Sequence, residues 1–205
     1  RTRTSSGGTF QFHDVTLNKE QTYLLSTKYH GMIYTSEIDE ITQNSPWTLK
    51  IYETTENTKG IRVRDNTILI HGKNLEPGRL MILELATIEN AGDRTFSPSG
   101  QSQGPMGLVR FSLPQGFYNL QVSSQLPTSG FIQVDKGFAL LSPIPPGFHN
   151  IGFTYSLDYS GPEFLFHRIF PFGAASVRIL YPDGLGQLLS VTLQETEPKS
   201  VEGIT

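Results

Sequence analysis

Large apolar side chains recur at every second position through much of this chain, and Gly or Pro interrupts the runs roughly every 10 to 20 residues. Alternation of period two places successive side chains on opposite faces of a pleated strand, whereas a helix needs apolar groups three and four apart. The cleanest run is Ile151-Gly152-Phe153-Thr154-Tyr155-Ser156-Leu157. It predicts a strand with one face in the core and the other toward solvent or a partner. Similar reasoning predicts strands at 9–13, 23–25, 33–34, 47–52, 61–63, 68–70, 80–85, 106–113, 117–122, 131–134, 177–181 and 188–193. His30-Gly31 and Asp65-Asn66 read as tight turns between neighbouring strands. The single helix candidate is 36–41, where Ser36 offers a cap and Glu37, Asp39 and Glu40 an acidic first turn before Pro46.

Strands at this spacing with no helical pattern between them argue for antiparallel sandwiches. The expected fold is all-β, with two antiparallel β-sandwich domains of which the first is partial. With 205 residues the chain accommodates one large β domain or two small ones. The stretch 53–60, free of apolar side chains, marks the boundary. A first unit then spans 1–57 and a larger sandwich 58–205.

Within the first unit, Thr4, Gly8, Phe10 and Phe12 form a turn-and-strand pattern, followed by Tyr23 and by Tyr29-x-Gly31-x-x-Tyr34. This layout resembles the second half of a carboxypeptidase regulatory-like domain, the transthyretin-like sandwich common in exported bacterial proteins. The resemblance covers about the first quarter of the chain. It implies strands before Thr4, without which a half sandwich leaves its edge and apolar face exposed. From Ile51 onward the chain is similar to a β region without assigned activity that follows such domains in membrane-associated bacterial envelope proteins. Asn90 to Phe96, Arg110 to Pro114, Pro143 to Gly147 and Phe153 to Tyr159 carry that likeness. It implies an extracytoplasmic, non-catalytic interaction module.

Charge and composition narrow the chemistry. A formal charge of -3, from 16 basic and 19 acidic residues, supplies no electrostatic footprint for nucleic acid. With no Cys there is no disulfide, thiolate zinc site or cysteine nucleophile. No apolar run reaches the roughly 18 residues of a membrane helix. The chain opens without Met or a signal peptide and ends without a stop signal, so it reads as part of something longer. Membrane association would come through segments outside it or through partners.

Several constellations invite a chemical reading. Gly100-Gln101-Ser102-Gln103-Gly104 matches the G-x-S-x-G of a hydrolase nucleophile elbow, with His149 or His167 and Asp158 as triad partners in a permitted order. Its setting is wrong, since Ser97-Pro98-Ser99 precedes it in place of a strand and Pro105 follows in place of a helix. The five histidines form no i, i+2 or i, i+4 pair, although His149 and His167 would be the couple for a site assembled across strands. Turn acids such as Asp93 and Asp183 occur without a calcium-loop series. No metal or cofactor is expected.

Two features suit binding. Asp93 and Arg94 sit in Asn90-Ala91-Gly92-Asp93-Arg94-Thr95, either a recognition loop or a turn fixed by its own chemistry. Phe148, Phe153, Tyr155 and Tyr159 precede Phe164, Phe166, Phe170 and Phe172 within one short stretch, more aromatic surface than a single sandwich face hides easily. The surplus suits the apolar centre of a protein interface or a carbohydrate platform. The expected function is therefore an accessory or structural subunit that binds other proteins. A carbohydrate-binding module and a serine hydrolase using Ser102 are the alternatives, and the small-molecule ligand, if any, is open.

Overall fold

A computed structural model describes residues 1–13, 18, 20–38, 46–71, 78–98, 107–127, 130–182, 185–190 and 192–196. Among these residues there are strands and no α-helix, so the chain is all-β with mostly antiparallel sheets.

The frame is a five-stranded sheet. It runs β12 (Ala174–Leu180), β4 (Ile61–His71), β5 (Arg79–Asn90), β11 (Gly147–Asp158) and β8 (Tyr118–Ser124), in that spatial order. A three-stranded sheet orders β7 (Val109–Ser112), β10 (Gly137–Leu140) and β9 (Phe131–Val134). The two sheets meet through aromatic rings. Phe138 stacks on Phe111 at 4.9 Å, and both meet Phe153 edge-on at 5.1 and 5.3 Å. Offset and edge-to-face pairs of this kind add about 0.5–1.5 kcal/mol each beyond the area they bury. Ile82, Ile88, Ile151, Tyr155 and Leu157 extend the same core along the larger sheet.

Asp65-Asn66 is a correction to the sequence reading. The expected pair of short strands is one strand, β4, whose register shifts between Val63 and Asp65. Ile61 and Val63 are buried at odd positions, Asn66, Ile68 and Ile70 at even ones. One extra residue restores the inward phase, which is what a bulge does. A phase change in alternation therefore looks like a turn from sequence alone. Strand β10 carries the opposite ambiguity. Gly137 to Leu140 are buried throughout, so this central strand shows no alternation to read. Gly137 is required there, because its φ is +139° and a Cβ would lie 1.9 Å from the Phe111 carbonyl oxygen.

Other expectations shift in detail. Residues 9–13 and 46–52 belong to no strand, and the described part of 188–193 forms none. Ser36, Glu37 and Ile38 of the helix candidate lie in strand β2, while 39–41 fall outside the described residues. Two strand pairs are parallel rather than antiparallel, β12 with β4 and β3 (Thr54–Thr55) with β6 (Thr95–Phe96). The second pair falls where the boundary was expected. Thr95 N–H donates to the Glu53 carbonyl and Ser97 N–H to that of Thr55, both at 2.8 Å.

The N-terminal part contributes a hairpin, β1 (Tyr23–Tyr29) with β2 (Met32–Ile38), closed by His30-Gly31 with φ of +46° and +82°. Positive φ at both central residues is the turn whose twist matches a two-residue hairpin. Tyr34 fastens the hairpin to the rest, its hydroxyl lying 2.9 Å from the Tyr52 carbonyl oxygen and 3.0 Å from Thr95 Oγ1. Tyr29 adds a second tie, donating to Glu53 Oε1 at 2.6 Å.

Candidate functional site

Strands β11 and β12 lie on opposite sides of β4 and β5, so residues 159–173 must cross the sheet to connect them. Parallel pairing demands such a crossover. Here it is not helical. Phe166, Arg168, Phe170 and Phe172 are half-buried, and Leu165, His167, Ile169 and Pro171 between them are exposed. Phe166, Phe172 and Tyr159 pack against the buried core of the five-stranded sheet. Phe164 is exposed and meets Tyr159 ring to ring at 6.2 Å.

Arg168 points with the phenylalanines into a buried polar centre. Its Nε and Nη2 donate to Glu84 Oε1 and Oε2 at 2.8 and 2.7 Å. The same carboxylate accepts from the Tyr155 hydroxyl at 2.6 Å and from Asn66 Nδ2 at 2.9 Å. Glu84 is fully buried. Burial, then the charge and hydrogen bond of Glu84, push the Tyr155 hydroxyl far above the ordinary phenol range, and Arg168 opposes them. Arg168 also lies over the Phe170 ring at 5.1 Å. A carboxylate whose acceptor sites are filled by four donors is pinned in place.

This centre was absent from the sequence reading, yet both charged residues leave a trace there. Glu84 stands in phase with Leu80, Ile82, Ala86 and Ile88, and Arg168 in phase with Phe166 and Phe170. A charge in step with an apolar face is the signature of a buried pair.

The other candidates disperse. Asp93 and Arg94 are exposed in the β5–β6 connection, whose shape is set by Asn90. Asn90 Nδ2 donates to the Arg94 and Ile144 carbonyls at 2.9 and 2.8 Å, and its Oδ1 accepts from Gly92 N–H at 3.0 Å. Ser102 lies outside the described residues. Asp158 accepts from the Tyr118 hydroxyl at 2.6 Å and has Arg79 at 3.8 Å. His149 sets its Nε2 2.8 Å from the Pro145 carbonyl oxygen, and His167 is exposed on the crossover. Among the described residues no three His, Asp or Glu side chains gather as metal ligands.

One cleft of about 490 Å³ opens beside the hairpin. Residues 33–36 of β2 and residues 48–50 line it, with Tyr52, Gln125 and His149 among the remaining side chains.

No protein-family model matches the chain. No curated protein matches it either. Three chains of solved structures do. Among them is a two-domain M1 zinc metallopeptidase, crystallised as a mutant bound to L-tryptophan, at 14% identity and a TM-score of 0.33. The match covers 52% of this chain and 23% of that one.

Proposed function

We propose that this chain is a non-catalytic accessory or structural module that binds other proteins, working outside the cytoplasm in a membrane-associated or cell-surface assembly. The observation that carries the reading is the β1–β2 hairpin. It is a sheet of two strands only, so each strand has an outer edge without a partner strand among the described residues. A lone two-stranded ribbon is marginal in water, and open edges are where another chain adds. The resemblance of Thr4 to Tyr34 to the second half of a transthyretin-like domain agrees, since that half is completed by further strands. Leu165 and Ile169, on the outward side of the crossover, add apolar surface of the kind that forms interface centres.

A photo-crosslinking amino acid placed at Ile33, Leu165 or Ile169, in the cell envelope where the protein is made, tests this. Discrete adducts with one or a few envelope proteins are expected. Absence of protein adducts from all three positions overturns the reading. Quenching of Trp47 fluorescence by polysaccharide would then favour the sugar-binding alternative, and ester hydrolysis lost in Ser102→Ala the hydrolase.

A further inference from the structure

The cleft beside the hairpin has walls of an unusual kind. Its lining includes four consecutive residues, Ile33 to Ser36, and three more, Thr48 to Lys50. Successive side chains of a strand point to opposite faces, so a consecutive run can line a cleft only along the strand's edge. That edge is the one turned away from β1. In a hairpin closed by two residues the pair next to the turn is hydrogen-bonded and pairs alternate from there. The pairs Tyr29–Met32 and Thr27–Tyr34 therefore use their backbone groups inside the hairpin. Ile33 and Thr35, opposite Lys28 and Ser26, direct N–H and C=O outward into the cleft. Among the described residues no backbone hydrogen bond crosses from β2 to residues 48–50.

Length and charge indicate what fits. Four strand residues at about 3.3 Å each span about 13 Å. Among the described residues that line the cleft, Lys50 alone carries a formal charge at neutral pH, in a protein whose total charge is -3. We propose that this cleft receives an extended acidic segment of a partner protein, added as a strand along Ile33 and Thr35 with a carboxylate against Lys50. Main-chain bonds to the open edge would supply affinity, and Lys50 the choice of partner. The inference rests on the accessory-module reading and specifies one of its contacts.

The full chain, labelled for amide NMR, is titrated with an end-capped octapeptide of alternating Val and Glu, and with its Val and Lys counterpart. Saturable shifts are expected at residues 33–36 and 48–50 with the acidic peptide, and binding about tenfold weaker with the basic one. Thr35→Pro removes an outward N–H without touching the hairpin's own bonds, and Lys50→Glu reverses an exposed charge. Each should weaken the acidic peptide about tenfold while amide positions elsewhere stay put. Because Lys50→Glu spares the backbone, its result stands even where Thr35→Pro perturbs the hairpin. Shifts absent or confined elsewhere, equal binding of the two peptides, or indifference to Lys50→Glu overturn the proposal. So do shifts of these amides with protein concentration alone, which indicate a second copy, or with cellohexaose in place of peptide. Envelope adducts from Leu165 combined with no peptide binding reject this strand site alone, whereas loss of all adducts rejects the accessory reading itself.

Discussion

Arg168 meets Glu84 through two parallel hydrogen bonds of 2.8 and 2.7 Å across 84 positions of sequence, with side chains only 5% and 0% exposed. Removing two charges from water costs several kcal/mol per ion, and the loss is offset only where geometry is good and the remaining lone pairs are filled. Tyr155 and Asn66 fill them here. The pair anchors the crossover at one place on β5, and so helps set where the chain re-enters the sheet as β12. That is a contribution to a unique arrangement more than to bulk stability.

Breaking the pair should therefore cost far more than replacing it. Arg168→Ala leaves an uncompensated buried carboxylate and is expected to destabilise the fold by about 3–5 kcal/mol. The double variant Glu84→Leu, Arg168→Met should recover part of that loss, since an apolar pair needs no desolvation although the Tyr155 hydroxyl and Asn66 Nδ2 lose their acceptor. Urea denaturation of the three proteins measures both. Equal losses for the single and double variants would show that the charges themselves hold the crossover.

Alkaline pH should expose the Tyr155 environment. An unfolded tyrosine ionises near pH 10. In the fold, burial first and then Glu84 hold the hydroxyl protonated well beyond that. The contribution is thus fully present below about pH 10 and is lost as pH rises from there toward the folded value. For one proton the slope approaches about 1.4 kcal/mol per pH unit. Tyr29 and Tyr118, raised chiefly by hydrogen bonds to Glu53 and Asp158, tilt the curve in the same sense. The Tyr155 share is read as the difference from Tyr155→Phe, which should lose less stability between about pH 9 and pH 11.

Two glycines separate backbone strain from collision. Gly116 has a φ of +82° with nothing near a would-be Cβ, whereas at Gly137 a Cβ would strike the Phe111 carbonyl oxygen. Gly116→Ala is expected to cost about 1 kcal/mol from its backbone conformation alone. Gly137→Ala should exceed it clearly, by more than about 2 kcal/mol, because the β10–β7 pairing must open to admit a methyl group. Thermal unfolding of both variants tests the order.

Asn90→Ala should loosen the connection that carries Asp93 and Arg94. The side chain satisfies two carbonyls, the Ile144 one buried and the Arg94 one partly so, and one N–H, and an unmet buried group costs about 1–3 kcal/mol. A loss in that range is expected, together with faster amide exchange at Gly92 to Arg94. Unchanged exchange would mean that β6 pairing alone shapes the loop.

Alternation made most of the fold legible. Ile151 to Leu157 bury every second side chain within β11, and Tyr23 to Tyr34 form a hairpin around His30-Gly31. Reading failed where alternation breaks or vanishes. The bulge at Asp65 imitated a turn, and the fully buried β10 had no polar phase to reveal it. The aromatic residues from Phe164 to Phe172 were visible as a surplus. That Phe166 and Phe172 pack inward while Leu165 and Ile169 face out was not stated by composition.

The sequence by itself determined the all-β class, the places of most strands and the absence of thiol chemistry, because period two, Gly and Pro punctuation and residue inventory are local properties. The tertiary structure decided which strand edges pair among the described residues, that β12 and β3 run parallel to their neighbours, and that Glu84 is buried against Arg168. Those outcomes depend on contacts between residues far apart in the chain, and on desolvation that no residue's neighbours in sequence reveal.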